Sequence, residues 1–256
     1  MTPKLSVESN WQILIACAAA LFAGGFAKGV TGIGLPLVAM PVLANFISVP
    51  HALALLVVPS VITSACQAFL GGYFLSAIKR VWILVIGIAI GVSVGVTALV
   101  AIELKMLEMI LGILVVIFSF TVVCRAEFKS LSRMEKPIAL AAGFMSGIIG
   151  GLSMFFGPIY AMFLAGLGLS KDYLVAAIAV TTVCSSLFLA LALILNGVLG
   201  VNEFAMSLLA AVPVAFGLWI GHFIRGKINE KLFRRTLAVV LFLIGVNLVR
   251  KALTNP

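Results

Sequence analysis

Charge is what this sequence has least of. Asp, Glu, Lys and Arg make up 10% of its 256 residues, against 63% hydrophobic ones. A soluble domain carries about 25% charged residues, so a hydrated surface wrapped around a core is excluded. Acids are the scarcer sign, 8 against 17 Lys and Arg. Glu8, Glu103, Glu108, Glu127, Glu135, Asp172, Glu203 and Glu230 all fall in termini, loops or the first turn of an apolar stretch. With no carboxylate at the centre of an apolar run, the pattern weighs against a proton relay of membrane acids and against a hydrolytic carboxylate pair. His51 and His222 lie near the ends of apolar stretches without Cys, Asp or Glu at ligand spacing, so both read as interfacial. Cys17, Cys66, Cys124 and Cys184 lack the paired spacing of a metal site or disulfide framework and read as packing residues. Neither G-x-S-x-G nor a nucleotide-binding P-loop occurs. The expectation is a protein with no catalytic residues, metal or cofactor.

What is present is apolar sequence, with a mean hydropathy of +1.28. A membrane-crossing helix needs about 20 mostly apolar residues, and nearly the whole chain divides into such stretches. The fold class is therefore all-α, a polytopic integral membrane protein forming a single transmembrane domain over 1–256. The net charge of +9 would suggest nucleic acid in a soluble protein, but here the basic residues sit in loops beside apolar segments. They set topology and meet anionic headgroups, so membrane lipids are expected as partners and nucleic acid is not. Leu14-Ile15-Ala16-Cys17 has the look of a lipoprotein processing site, but few apolar residues precede it and Glu8 interrupts the basic region, so it reads as membrane segment.

The chain repeats itself. Gly25, Phe26, Gly29 and Gly32 recur 118 positions later as Gly143, Phe144, Gly147 and Gly150, and Thr63-Ser64-Ala65-Cys66 recurs as Thr181-Thr182-Val183-Cys184. That is a duplication signal. The halves run over about 11–124 and 137–253, joined by a basic loop at 125–136. Each reads as five apolar pieces: 11–27, 33–49, 52–76, 81–102 and 106–124, then 137–149, 153–168, 173–197, 204–224 and 232–249. The first two pieces of each half are too short to cross comfortably, so they predict a broken or re-entrant glycine-rich first segment followed by three spanning helices. If each initial pair leaves on the face it entered, Lys28, Lys79, Arg80, Arg125, Lys129, Arg133, Lys136, Lys171, Arg225, Lys227, Lys231, Arg234 and Arg235 share one side. Only Lys4, Lys105, Arg250 and Lys251 face the other. Basic residues collect on cytoplasmic loops, so this arrangement puts both termini outside and makes the halves inverted repeats, a transporter architecture.

Chemistry is expected at the glycine breaks. Irregular backbone in a membrane lines a wet cavity or is buried in protein, and half-helix N-termini there offer amide donors to an anion. The first cluster holds Lys28, Gly29, Thr31, Gly32 and Gly34, and the second Ser146, Gly147, Gly150, Gly151 and Ser153. Lys28 either contacts an anion or snorkels to the interface. Thr63, Ser64 and Gln67, matched by Thr181, Thr182, Ser185 and Ser186, add hydroxyls and an amide in the third piece of each half. All of these but Ser186, sixteen residues, are the candidate substrate-binding set.

Gly25-Phe26-x-x-Gly29-x-x-Gly32-x-Gly34-x-Pro36 and Gly143-Phe144-x-x-Gly147-x-x-Gly150-Gly151 with Gly157-Pro158 resemble the duplicated glycine motif of the TauE/SafE family of sulfite exporters and related anion transporters. The likeness covers nearly the whole chain. It implies transport of sulfite, organosulfonates or other small organic anions across a bacterial cytoplasmic membrane, by a multi-pass inner-membrane protein. A non-transporting assembly or sensor subunit whose glycines only pack helices is the alternative, and a homodimer is left open.

Overall fold

The computed structural model describes residues 10–32, 34–70, 72–123 and 135–254. Lys4, Glu8, Cys124, Glu127 and the linker positions 125–134 lie outside the described residues. Among the described residues ten helices follow one another: α1 (Asn10–Thr31), α2 (Leu35–Leu43), α3 (Val49–Leu70), α4 (Phe74–Ala101), α5 (Leu104–Val123), α6 (Glu135–Ser153), α7 (Gly157–Gly166), α8 (Lys171–Leu195), α9 (Val201–Ile224) and α10 (Glu230–Thr254). There is no strand among the described residues. Seven helices, α1, α3, α4, α6, α8, α9 and α10, are long and apolar enough to cross a membrane. The chain is a multi-pass, all-helical membrane protein.

The opening helix of each half is longer than its apolar piece. α1 has 22 residues and α6 has 19, about 33 and 29 Å at 1.5 Å per residue. Both run straight through the glycines read from sequence as the start of a break. Glycine weakens a helix chiefly by backbone entropy and exposure to water, and a lipid-embedded helix has no water to expose to. α2 and α7, at 9 and 10 residues, are half-helices of about 14–15 Å.

The glycines instead form seams between helices. A Cβ on Gly217 of α9 would fall on the Phe22 carbonyl oxygen of α1 and 2.8 Å from the Phe26 nitrogen; one on Gly221 would lie 3.1 Å from Gly29 Cα. In the equivalent pair, α4 on α6, a Cβ on Gly91 would strike the Phe144 carbonyl and lie 2.9 Å from Gly147 Cα, while Gly95 meets Ile148 and Gly151. Lipid tails are as apolar as leucine, so helices associate by close packing through small residues. In both seams residue numbers rise together, which makes α1 parallel to α9 and α4 parallel to α6. Between α5 and α10, Gly112 meets Val249 and Gly245 meets Val116. Numbers there rise and fall oppositely, so this pair is antiparallel.

α3 and α8 cross at the centre, where the Ser60 and Ser186 hydroxyls are 3.1 Å apart. Pro59 has no N–H and leaves the Leu55 carbonyl without its helical partner. Ser207 of α9 donates to that carbonyl at 2.9 Å and accepts from the Val58 N–H at 3.2 Å, so the proline leaves no bare polar group there in hydrocarbon.

Candidate functional site

Both first helices stop in the same way. The Gly32 N–H donates to the Lys28 carbonyl at 2.7 Å and the Met154 N–H to the Gly150 carbonyl at 2.7 Å, with Gly32 at φ 81° and Met154 at φ 64°. A left-handed residue at this place ends a helix. Two residues on, Gly34 and Phe156 cap the half-helices α2 and α7, each with a proline, Pro36 or Pro158, in the first turn. The stops and prolines are 122 positions apart (32 to 154, 36 to 158), whereas the glycine motif repeats at 118. α6 therefore runs about one turn further past its motif before stopping. A full turn is 3.6 residues, so the extra four keep the same face inward.

The two breaks meet in one small cavity of about 30 Å³. Its walls carry the N-terminal turns of α2 and α7, with Gly32, Gly34, Leu35 and Pro36 on one side and Met154, Phe155, Phe156 and Pro158 on the other. Neither half-helix has a side-chain cap, so their first N–H groups and positive dipole ends face the cavity unsatisfied by side chains. Lys28, Ser60, Gln67, Tyr160, Thr182 and Ser186 complete the lining.

Lys28 is 5% exposed. Its ammonium donates to Thr63 Oγ1 at 2.9 Å and to Ser64 Oγ at 2.6 Å. It does not snorkel, and among the described residues no carboxylate pairs with it; the ion pairs there are Arg80–Glu135 and Lys251–Glu108. Thr63 spends its own hydrogen on the Pro59 carbonyl at 2.7 Å, so it can only accept from the lysine. Ser64 makes no other hydrogen bond among the described residues, which leaves its hydroxyl hydrogen and one ammonium hydrogen free. The Gln67 amide is without a partner among the described residues too. Across the cavity the Thr182 hydroxyl donates to the Ile178 carbonyl at 2.7 Å, so the Tyr160 hydroxyl, 2.7 Å away, donates to Thr182. The site is rich in spare donors and a positive charge, and holds no acid.

The sixteen expected residues divide by place. Lys28, Gly32, Gly34, Gln67 and Thr182 line the cavity, and Thr63 and Ser64 hold Lys28. Thr31 bonds back to the Ala27 carbonyl at 2.8 Å beside Gly34. Gly29, Gly147 and Gly151 sit in the helix seams, and Gly150 lies against the Phe156 ring. Ser146 donates to the Phe156 carbonyl at 2.8 Å and Ser153 to Ile149 at 2.7 Å, so both brace the second break from behind. Thr181 and Ser185 bond back to their own helix, to Ala177 and Thr181. Ser186, in the same hydroxyl-rich run as Ser185, lines the cavity too. Sequence reasoning passed over Ser60 and Tyr160; Tyr160, lying in an apolar half-helix, carried no signal.

A cavity at the junction of two broken helices, lined by a buried cation, is the architecture of a membrane transporter. The chain belongs to the TauE/SafE sulfite exporter family, whose family model matches residues 16–248. Neither a curated protein nor a solved structure matches it.

Proposed function

We propose that the protein carries a small oxyanion, sulfite or an organosulfonate, across the cytoplasmic membrane, binding it in the cavity between the two breaks. The observation that carries this reading is Lys28, a buried cation whose partners are hydroxyls and which faces two uncapped helix N-termini. A buried charge is costly unless paired, and an anion in this cavity supplies the pairing. Three oxygens on one sulfur match donors at Lys28, Gln67 and the two half-helices. The cavity, about 30 Å³, has room for little more than water, so loading requires the two breaks to part.

Inverted repeats fit the helix directions. α4 and α5 are joined by a tight turn, as are α9 and α10, so each pair runs antiparallel. Starting from α1, the chain of relations is α9 parallel, α10 opposite, α5 opposite to α10, α4 opposite to α5 and α6 parallel to α4. On these relations α6 runs against α1, which supports repeats that are upside down relative to each other. Combined with the thirteen-to-four split of basic residues, this supports both termini lying in the periplasm and residues 125–136 in the cytoplasm. Single cysteines introduced near each terminus and in that linker, in a background lacking native cysteines, are expected to react with an impermeant maleimide on opposite faces. Termini labelled only from the cytoplasm would overturn the orientation.

The transport test is flux of labelled sulfite and organosulfonates in proteoliposomes, with potential and pH gradient clamped separately. Potential alone is expected to drive export. Moving one negative charge out gains about 2.3 kcal/mol per 100 mV, enough to hold the internal anion about fiftyfold below the external. Uphill movement driven by a pH gradient at zero potential, with none from potential, would show an obligatory proton. Absence of flux for every anion would leave a non-transporting assembly or sensor subunit.

A further inference from the structure

A second cavity lies on the outside of the bundle, between α1, α2 and α10. It is a groove of about 320 Å³ lined by Phe22, Ala23, Phe26, Val38, Phe233 and Leu237 among others, with almost no polar surface. α10 packs mainly against α5 and meets α1 here through the edge-to-face rings of Phe26 and Phe233, 6.2 Å apart. Phe26 and Phe233 lie at one end, and Phe22 and Leu237 one turn deeper. The groove thus runs along the helices, as an acyl chain does.

The end at Phe26 and Phe233 is where the chain is most basic. Between 225 and 235 the sequence carries Arg225, Lys227, Lys231, Arg234 and Arg235 against the single acid Glu230. Arg225, Lys227 and Arg235 are exposed and have no ion pair among the described residues. At the opposite end of α10 the basic residues are engaged: Lys251 bonds Glu108 at 3.0 Å and Arg250 bonds Asn247 at 3.1 Å. An apolar slot opening beneath unpaired cations matches one amphiphile, with a chain for the slot and a negative head for the cations.

We propose that this groove is a binding site for an anionic phospholipid, one acyl chain lying along Phe22, Phe26, Phe233 and Leu237 and the phosphate meeting Arg225 and Lys227. The site has a consequence for transport. Its inner wall includes Val38 of α2 and Ala27 of α1, the latter adjoining Lys28, so the chain bears on the hairpin that carries the first break.

The test uses the full-length protein in nanodiscs, with phosphatidylglycerol bearing a photoreactive group in its chain, against phosphatidylcholine with the same chain. Crosslinks from phosphatidylglycerol are expected to concentrate on peptides containing Phe22–Phe26 and Phe233–Leu237. Leu237→Trp, which fills the slot, is expected to abolish them. The variants Arg225→Gln and Lys227→Gln lie at the surface and leave folding intact. Each is expected to lower the preference over phosphatidylcholine about fivefold. Crosslinks spread evenly over the lipid-facing helices, or equal labelling by both lipids, would overturn the proposal. So would a protein dimer that Leu237→Trp disperses, because a second copy would then occupy the groove.

Discussion

Lys28→Met is expected to weaken sulfite or sulfonate binding about ten- to a hundredfold, and Lys28→Arg by less. The figure is that of a charge-assisted hydrogen bond lost from a buried site, about 1.5–3 kcal/mol. Methionine keeps most of the length of the side chain, and the two hydroxyls that accept from the ammonium tolerate its loss: Thr63 keeps its bond to the Pro59 carbonyl, and Ser64 can bond back to the carbonyl one turn earlier in its own helix. Folding is therefore expected to survive, and thermal stability to hold or rise, because a cation costly to bury is gone. This separation makes the result diagnostic. Binding is read by calorimetry on detergent-solubilised protein and transport by proteoliposome flux. An unchanged affinity in a well-folded Lys28→Met protein would put the cargo elsewhere and leave Lys28 as part of the α1–α3 packing.

The seam glycines are expected to be the least replaceable residues in the chain. Gly91→Ala or Gly217→Ala puts a methyl group onto a backbone carbonyl, that of Phe144 or Phe22. A flexible side chain can swing away from such a clash; a carbonyl tied into its own helix cannot. Overpacking costs about 1–3 kcal/mol and sometimes more, against a total stability of about 5–15 kcal/mol. Each single variant is expected to lower the melting temperature, and the pair to abolish the monodisperse peak on size-exclusion chromatography. Gly226 has nothing within 4 Å of its Cβ position, so Gly226→Ala is the control, expected to change stability by about 0.5 kcal/mol or less. Wild-type melting of both seam variants would mean that α1–α9 and α4–α6 do not approach this closely.

How much was legible follows from which physics acts along the chain and which acts across it. The apolar runs locate the spanning helices, because bilayer thickness sets their length. The 118-residue repeat predicts two equivalent halves, and the glycine motif agrees with the family. The end of α1 was misplaced because glycine looks the same in one dimension whether it breaks a helix or lets another backbone approach. Only the neighbour distinguishes them: Gly29 has Leu218 and Gly221 beside it, while Gly32 adopts φ 81° and ends the helix. The shift from 118 to 122 at the breaks was hidden for a related reason. The left-handed stop is glycine in the first half and Met154 in the second, so the equivalence lies in backbone conformation and not in residue type.

The sequence by itself determined that this protein lives in a membrane, that it carries one glycine motif twice, and that one cation, Lys28, belongs to a glycine-rich break. Those properties depend on composition and spacing. Tertiary structure alone decided that both breaks share one cavity, that Lys28 is buried on Thr63 and Ser64, and that Tyr160 and Ser60 join the wall. Residues so far apart in the chain come together only because α1 is clamped to α9 and α4 to α6, and close approach between backbones is a property of pairs of helices that neither helix carries alone.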